Sequence, residues 1–114
     1  MTLLTEANLK MLYKTFCRMA PFDKLDMPEA HRIKFIVTRR QDIMGEFQPE
    51  HYAILISSAR NGHFDTISKT LLHEMAHLHC YYVKDENYED HNNKRFKQIL
   101  QKIAALYGFD PKEL

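Results

Sequence analysis

His73-Glu74-Met75-Ala76-His77 is the most informative stretch of this 114-residue chain. Residues four apart on an α-helix lie one above the other on the same face. The imidazoles of His73 and His77 can therefore aim at one point, as the first two ligands of a zinc ion must. Glu74 falls about 100° round the helix from His73, beside such an ion, where its carboxylate can hold a water and act as general base. That is the mechanical content of an H-E-x-x-H helix: two ligands and a base from one turn. The bland alternative is a surface helix that carries these residues by chance. The flanking pattern argues against it. From Thr66 to about Tyr82, the apolar residues Ile67, Leu71, Met75, Leu78 and Tyr82 share one face, with His73 and His77 on the other. One face packs on a core and the other floors a cleft. Asp65 is the expected N-cap of this helix.

Composition narrows the classes. The balance of 16 Lys and Arg against 15 Asp and Glu leaves a net charge of +1, with no overall drive toward nucleic acid or an anionic membrane. Apolar residues at 45% and aromatics at 11% predict a folded globule, and the length fits a single domain over residues 1–114. No apolar run reaches membrane-spanning length, and Met1-Thr2-Leu3-Leu4-Thr5-Glu6 lacks the basic and apolar regions of a signal peptide. The expectation is a cytoplasmic, non-secreted monomer, or a nucleoid or nuclear one where it associates with DNA. Cys17 and Cys80 form no pattern and read as reduced thiols, and no zinc ribbon is encoded.

Upstream, Leu4, Leu9, Leu12, Tyr13 and Phe16 predict an amphipathic helix from Thr2 to about Met19, capped by Thr2 or Thr5. Pro21 and Pro28 interrupt the pattern, with Phe22 and Leu25 as anchors of an irregular linker. Three strands follow, at Ile33–Thr38, Ile43–Phe47 and Tyr52–Ser57, and Gly45 marks a bulge or a close backbone approach. Their short connections favour an antiparallel meander. Beyond the central helix, Lys84–Asp90 is a charged loop. A last helix runs from His91 or Asn92 to Leu106, with Phe96, Ile99, Leu100 and Ile103 on its buried stripe. Gly108 caps it and Pro111 follows. The predicted fold class is α+β: N-terminal helix, small antiparallel three-stranded sheet, H-E-x-x-H helix and C-terminal helix.

A catalytic zinc takes three protein ligands and keeps one open position, so a third ligand is required. His91, on the returning segment past the helix, suits best, against the bland alternative of a solvated histidine at a helix start. Glu86, Glu89 and Asp90 are oxygen alternatives. Cys80, three residues after His77, is another, although a small packing residue is its simpler role. His79 reads as a partly buried neighbour. His31, His51 and His63 read as surface residues, with His63 placed to border the cleft. Tyr81, Tyr82 and Tyr88 could each donate to an oxyanion, though packing is the commoner fate. Arg39-Arg40 and the set Lys94, Arg95, Lys97 and Lys102 are the basic clusters. A solvated face is their simpler explanation, and modest, salt-sensitive DNA contact the sharper one.

The run Ile67-Ser68-Lys69-Thr70-Leu71-Leu72-His73-Glu74-Met75-Ala76-His77, with the acidic loop, His91 and Phe96 behind it, resembles the SprT-like zinc metalloproteases. That family includes the Spartan proteases, which act on proteins crosslinked to DNA. Leu12-Tyr13-Lys14-Thr15-Phe16 resembles the family's first helix, and Gly45-Glu46-Phe47 with Ile54-Leu55-Ile56-Ser57 its small sheet. The resemblance implies His73, His77 and His91 as zinc ligands, Glu74 as general base and a protein as substrate. Two departures stand out. The family commonly shows His-Gly-x-x-Phe at the third ligand, whereas this chain has His91-Asn92-Asn93-Lys94-Arg95-Phe96, without the glycine and with the phenylalanine one place later. The C-terminal zinc ribbon or DNA-binding region of longer relatives is also missing from this sequence.

Two competing functions follow. A ribonuclease of the H-x-x-x-H-x-x-x-x-x-H type would need histidine at position 83, which is Val83. A non-catalytic, zinc-stabilised module that binds protein or nucleic acid would have no use for Glu74, and a structural zinc is more often closed by four protein ligands. The expectation is a minimal zinc-dependent endopeptidase.

Overall fold

The structure, a computed structural model, describes residues 4–114. Thr5 begins the first helix by accepting the Asn8 N–H at 3.1 Å, and α1 runs Glu6–Cys17. Thr2, the other expected cap, lies outside the described residues. Leu9, Tyr13 and Phe16 form the buried stripe of α1. The Tyr13 hydroxyl donates to the Pro28 carbonyl at 2.6 Å and so ties down the linker. Phe22 is buried in that linker and Leu25 packs partly buried beside it, as their apolar character in a polar stretch predicts.

The strands β1 (Lys34–Thr38), β2 (Gly45–Gln48) and β3 (Ala53–Ser57) form a sheet in the order β1-β3-β2. β3 pairs parallel with β1, Phe35 opposite Ile54, and antiparallel with β2, Phe47 opposite Ile54. The sheet is therefore mixed, which corrects the expected antiparallel meander. Burial explains the order. Every residue of β3 is buried, as suits a strand covered on both faces. β2 carries Glu46 and Gln48, only half-buried, and belongs at an edge. The connection 39–44 carries the chain past β3, and a short 3-10 turn at Pro49–His51 brings it back into the centre.

The helix α2 spans Phe64–Tyr82. Its N-cap position is His63, which makes no side-chain cap bond, so Asp65 is corrected from cap to first-turn residue. There its carboxylate accepts the Thr66 N–H at 2.9 Å and lies at the positive end of the helix dipole. Ile67, Leu71, Met75 and Leu78 are buried as the periodicity predicts, and Tyr82 is half-buried. α2 lies against β2 and β3 on one side and against α1 and the last helix, α3 (Lys94–Tyr107), on others. α3 begins later than its pattern suggested, because the Asn93 side chain accepts the N–H groups of Arg95 and Phe96 and fixes the start. Gly108, at φ 74°, ends it with its N–H on the Ala104 carbonyl. Instead of simply stopping the chain, Pro111 opens a 3-10 turn at Pro111–Glu113. The α+β class and the order of elements are as expected. Among the described residues, no helix is long and apolar enough to cross a membrane.

Candidate metal centre

His73 and His77 stand one turn apart on α2, and the turn before α3 brings His91 to them. One ligand atom from each lies within 4.8 Å of the others, the one such group among the described residues. His91 Nε2 and His77 Nε2 are 3.2 Å apart. Two nitrogens bound to one zinc at about 2.0–2.1 Å with tetrahedral angles sit roughly 3.4 Å apart, so the spacing suits a shared ion. The tautomer suits it too. His77 Nδ1 lies 2.8 Å from the Tyr88 carbonyl, which can only accept. Nδ1 must therefore carry the proton, which leaves the Nε2 lone pair free.

The surroundings of His73 and His77 favour the neutral imidazole, as a ligand must be. Burial pushes His73 down to about 4, and the neighbouring His77 and His91 push the same way. Burial also lowers His77. The Phe96 ring stacks on His77, with centroids 4.2 Å apart and planes 17° from parallel, and on His91 at 5.4 Å. The phenylalanine thus walls the site although it falls one residue later than in the family pattern. Residues 91–93 are non-helical and Asn93 caps α3, so the spacing from His91 to Phe96 is set by a turn and absorbs the extra residue.

That turn is held by Asn93, whose Nδ2 donates to Asp85 Oδ2 at 3.0 Å and to the Asn87 carbonyl at 2.9 Å. Asp85 in turn accepts the Asn87 N–H at 3.0 Å. These bonds close the loop between α2 and α3 and fix where His91 stands.

Glu74 is buried on the neighbouring face of α2. Burial raises its carboxyl to about 8, the charge of Glu46 adds to this, and the Phe47 backbone N–H pulls against it. Glu74 lines a cavity of about 350 Å³ together with the three histidines, Gly45, Glu46, Phe47 and Glu89. The close approach signalled by Gly45 is real: a Cβ there would sit 2.6 Å from Thr70 Cγ2 and 3.3 Å from Glu74 Cγ. β2 can lie this close to α2 because that position has no side chain. Ser57 N–H bonds the Met44 carbonyl at 2.9 Å. Antiparallel alternation then turns the backbone groups of Gly45 and Phe47 away from β3, toward the cleft edge.

The alternatives resolve by position. Cys80 is fully buried in the core, with burial pushing its thiol up to about 11, and it is not in the ligand group. Glu86 and Asp90 are exposed, and Glu89 borders the cavity without joining the group. His79 is more buried than expected, at 3% exposure, and its Nδ1 donates to the Asp26 carbonyl at 2.8 Å. His31, His51 and His63 are exposed, and His63 lines neither cavity beside Glu74. Tyr81 and Tyr88 pack edge-on against Phe47 at 5.5 and 6.3 Å, and all three tyrosines line a pocket separate from the histidines. Of the basic clusters, Arg40 is paired with Asp42 at 2.6 Å and Glu46 at 3.5 Å, and Arg95 with Asp85 at 3.5 Å.

Sequence reasoning missed Glu46, the Phe47 N–H, the Tyr88 carbonyl and Asn93. An acidic residue next to Gly45 and an asparagine ahead of an apolar periodicity were available signals for two of them. The other two are backbone groups, which no side chain announces. A family model described as the SprT-like family matches residues 9–113. Neither curated proteins nor solved structures yield a match.

Proposed function

Because the chain belongs to the SprT-like family, we propose that it is a zinc-dependent endopeptidase. The observation that supports this best is one cavity lined by three clustered imidazoles and a buried carboxylate, His73, His77, His91 and Glu74. Three imidazoles are a fitting donor set for zinc, which when bound would supply Lewis acidity toward the scissile carbonyl and the attacking water. Glu74 takes the proton of that water and returns it to the leaving amine. A carboxyl raised toward neutrality is suited to both halves of that task. The outward backbone groups of Gly45 and the Phe47 carbonyl offer an extended peptide an edge on which to lie beside the site.

The substrate is a polypeptide, and proteins crosslinked to DNA are the class to test first. Contact with DNA would rest on Arg39, Lys94, Lys97 and Lys102, since Arg40 and Arg95 already have acidic partners.

The test is Glu74→Gln, which keeps the side chain's size and removes its basicity. Zinc content stays at the wild-type level, while proteolysis falls by roughly 10²–10⁴-fold. His73→Ala loses metal and activity together. Release of zinc by Glu74→Gln would make Glu74 a ligand and end this mechanism. A wild type that holds zinc yet cleaves no unfolded or crosslinked protein, with or without DNA, would replace the enzyme with the binding module.

A further inference from the structure

The cavity of the metal centre meets a second one at Gly45, His73 and Glu74. This second cavity, of about 380 Å³, is closed by Lys69, Thr66 and Thr70 of α2 and by Glu113 and Leu114 of the turn after α3. Lys69 precedes His73 by four residues, so it stands one turn along the same helix face. Its Nζ lies 2.6 Å from Glu113 Oε2, 3.8 Å from an Asp65 carboxylate oxygen and 5.2 Å from the centre of the Phe109 ring.

The two sides of the Lys69–Glu113 pair differ in depth. The lysine side chain is 18% exposed and the glutamate 56%. A solvated carboxylate on a lysine whose side chain is largely covered is an exchangeable partner, because ion pairs open to water contribute little and are screened by salt. Asp65 is a more distant and equally solvated acid, 65% exposed, and cannot replace Glu113 without moving. An incoming acidic side chain would restore the pair that Glu113 gives up. An apolar one would leave the ammonium without its nearest partner, and a basic one would be repelled.

The geometry points to Lys69 as a specificity-determining residue for the reaction proposed above, on which this inference rests. It receives an acidic side chain of the substrate close to the scissile bond, in the place that Glu113 occupies. The turn at residues 111–114 is then a built-in competitor for the same pocket.

The experiment uses peptides identical but for one position, occupied by Glu, Gln or Lys and moved stepwise across the scissile bond. Cleavage is measured with wild type, and binding by fluorescence anisotropy to zinc-loaded Glu74→Gln protein. At one position, Glu is favoured over Lys by about tenfold in both measurements. Lys69→Met, which keeps the length and removes the charge, erases the preference, and Lys69→Glu reverses it. Glu113→Gln, on an exposed side chain, tightens binding of the Glu peptide by about threefold and leaves the Gln peptide unchanged. No position favouring Glu, a preference that survives in folded Lys69→Met, or a Glu113→Gln protein indifferent to the Glu peptide overturns the inference. A Lys69-dependent preference in binding without any cleavage would overturn the endopeptidase reading and keep the pocket. Cleavage with no such preference would do the reverse.

Discussion

His77 Nδ1 donates its proton to the carbonyl of Tyr88 at 2.8 Å, a bond between the helix that carries two of the three clustered histidines and the loop that delivers the third. It does two jobs at once. It selects the tautomer with a free Nε2, and it pins the loop within reach of α2. Since a backbone carbonyl is the acceptor, side-chain substitution at Tyr88 leaves the bond available, and loop shape decides whether it forms.

Metal content follows from this arrangement. Purified protein is expected to bind one zinc per chain. His91→Ala should release it to a chelator far more readily than wild type, whereas Cys80→Ala and Glu86→Ala should retain it. Metal analysis after graded dialysis against a chelator reads the difference. Equal retention in His91→Ala and wild type would remove His91 from the site.

Asn93 should affect metal binding without touching the metal. Its Oδ1 caps α3, and its Nδ2 holds Asp85 and the Asn87 carbonyl. Asn93→Ala removes both sets of bonds and should cost about 1–2 kcal/mol of stability. It should also weaken zinc binding by about tenfold, the lower end for residues that orient ligands. Asn93→Asp keeps the cap acceptor but loses the donors and sets a carboxylate beside Asp85. Helix stability should recover more than zinc affinity does. Parallel recovery of both would mean that Asn93 acts through the cap alone.

What the sequence could show divides along local and non-local lines. The spacing of His73 and His77, the buried stripe of Ile67, Leu71, Met75 and Leu78, and the glycine at position 108 are encoded within a turn or two of chain. Each is visible in the sequence. Strand order is not local, and the preference for a meander put β2 where β3 belongs. The unbroken apolar run Ala53-Ile54-Leu55-Ile56 is a central-strand signal, and it outweighs the short connections. Gly45 announced a close approach, but its partner, Thr70, lies on another element. Lys69 and Glu113 are far apart in sequence, and only the packing of α3 brings them together.

Gly45 and Thr70 should behave as a coupled pair. Gly45→Ala drives a methyl into Thr70 Cγ2 and crowds the Leu55 carbonyl at 3.1 Å, so it should cost roughly 1–3 kcal/mol. Thr70→Ser deletes the clashing methyl and keeps the hydroxyl that donates to Asn61 Oδ1 at 2.7 Å. The double variant should therefore be more stable than Gly45→Ala alone. A double-mutant cycle by urea unfolding measures this, and strictly additive losses would mean that the clash is relieved elsewhere.

The pH dependence of the metal-free protein tests the burial of the site. His73 is depressed to about 4 from its ordinary 6.5, His77 is lowered as well, and Glu74 is raised to about 8 from 4.5. Stability rises with pH wherever the unfolded chain holds more protons and falls where the folded chain does. Between pH 6.5 and 8 the folded protein keeps a proton on Glu74 that the unfolded chain has lost. Stability should therefore fall as pH rises through that window, by at most about 1.4 kcal/mol per unit. Below 6.5 the unfolded chain protonates His73, which the folded chain keeps neutral down to about 4, and this offsets the extra proton held on folded Glu74. The lowered His77 tips the balance, so stability falls as pH drops further. The metal-free protein should thus be most stable near pH 6.5, as read by urea unfolding in chelator across a pH series. Glu74→Gln should flatten the alkaline limb between pH 6.5 and 8 and steepen the acid one. An alkaline limb that persists in Glu74→Gln would assign it to another group and place Glu74 in contact with water.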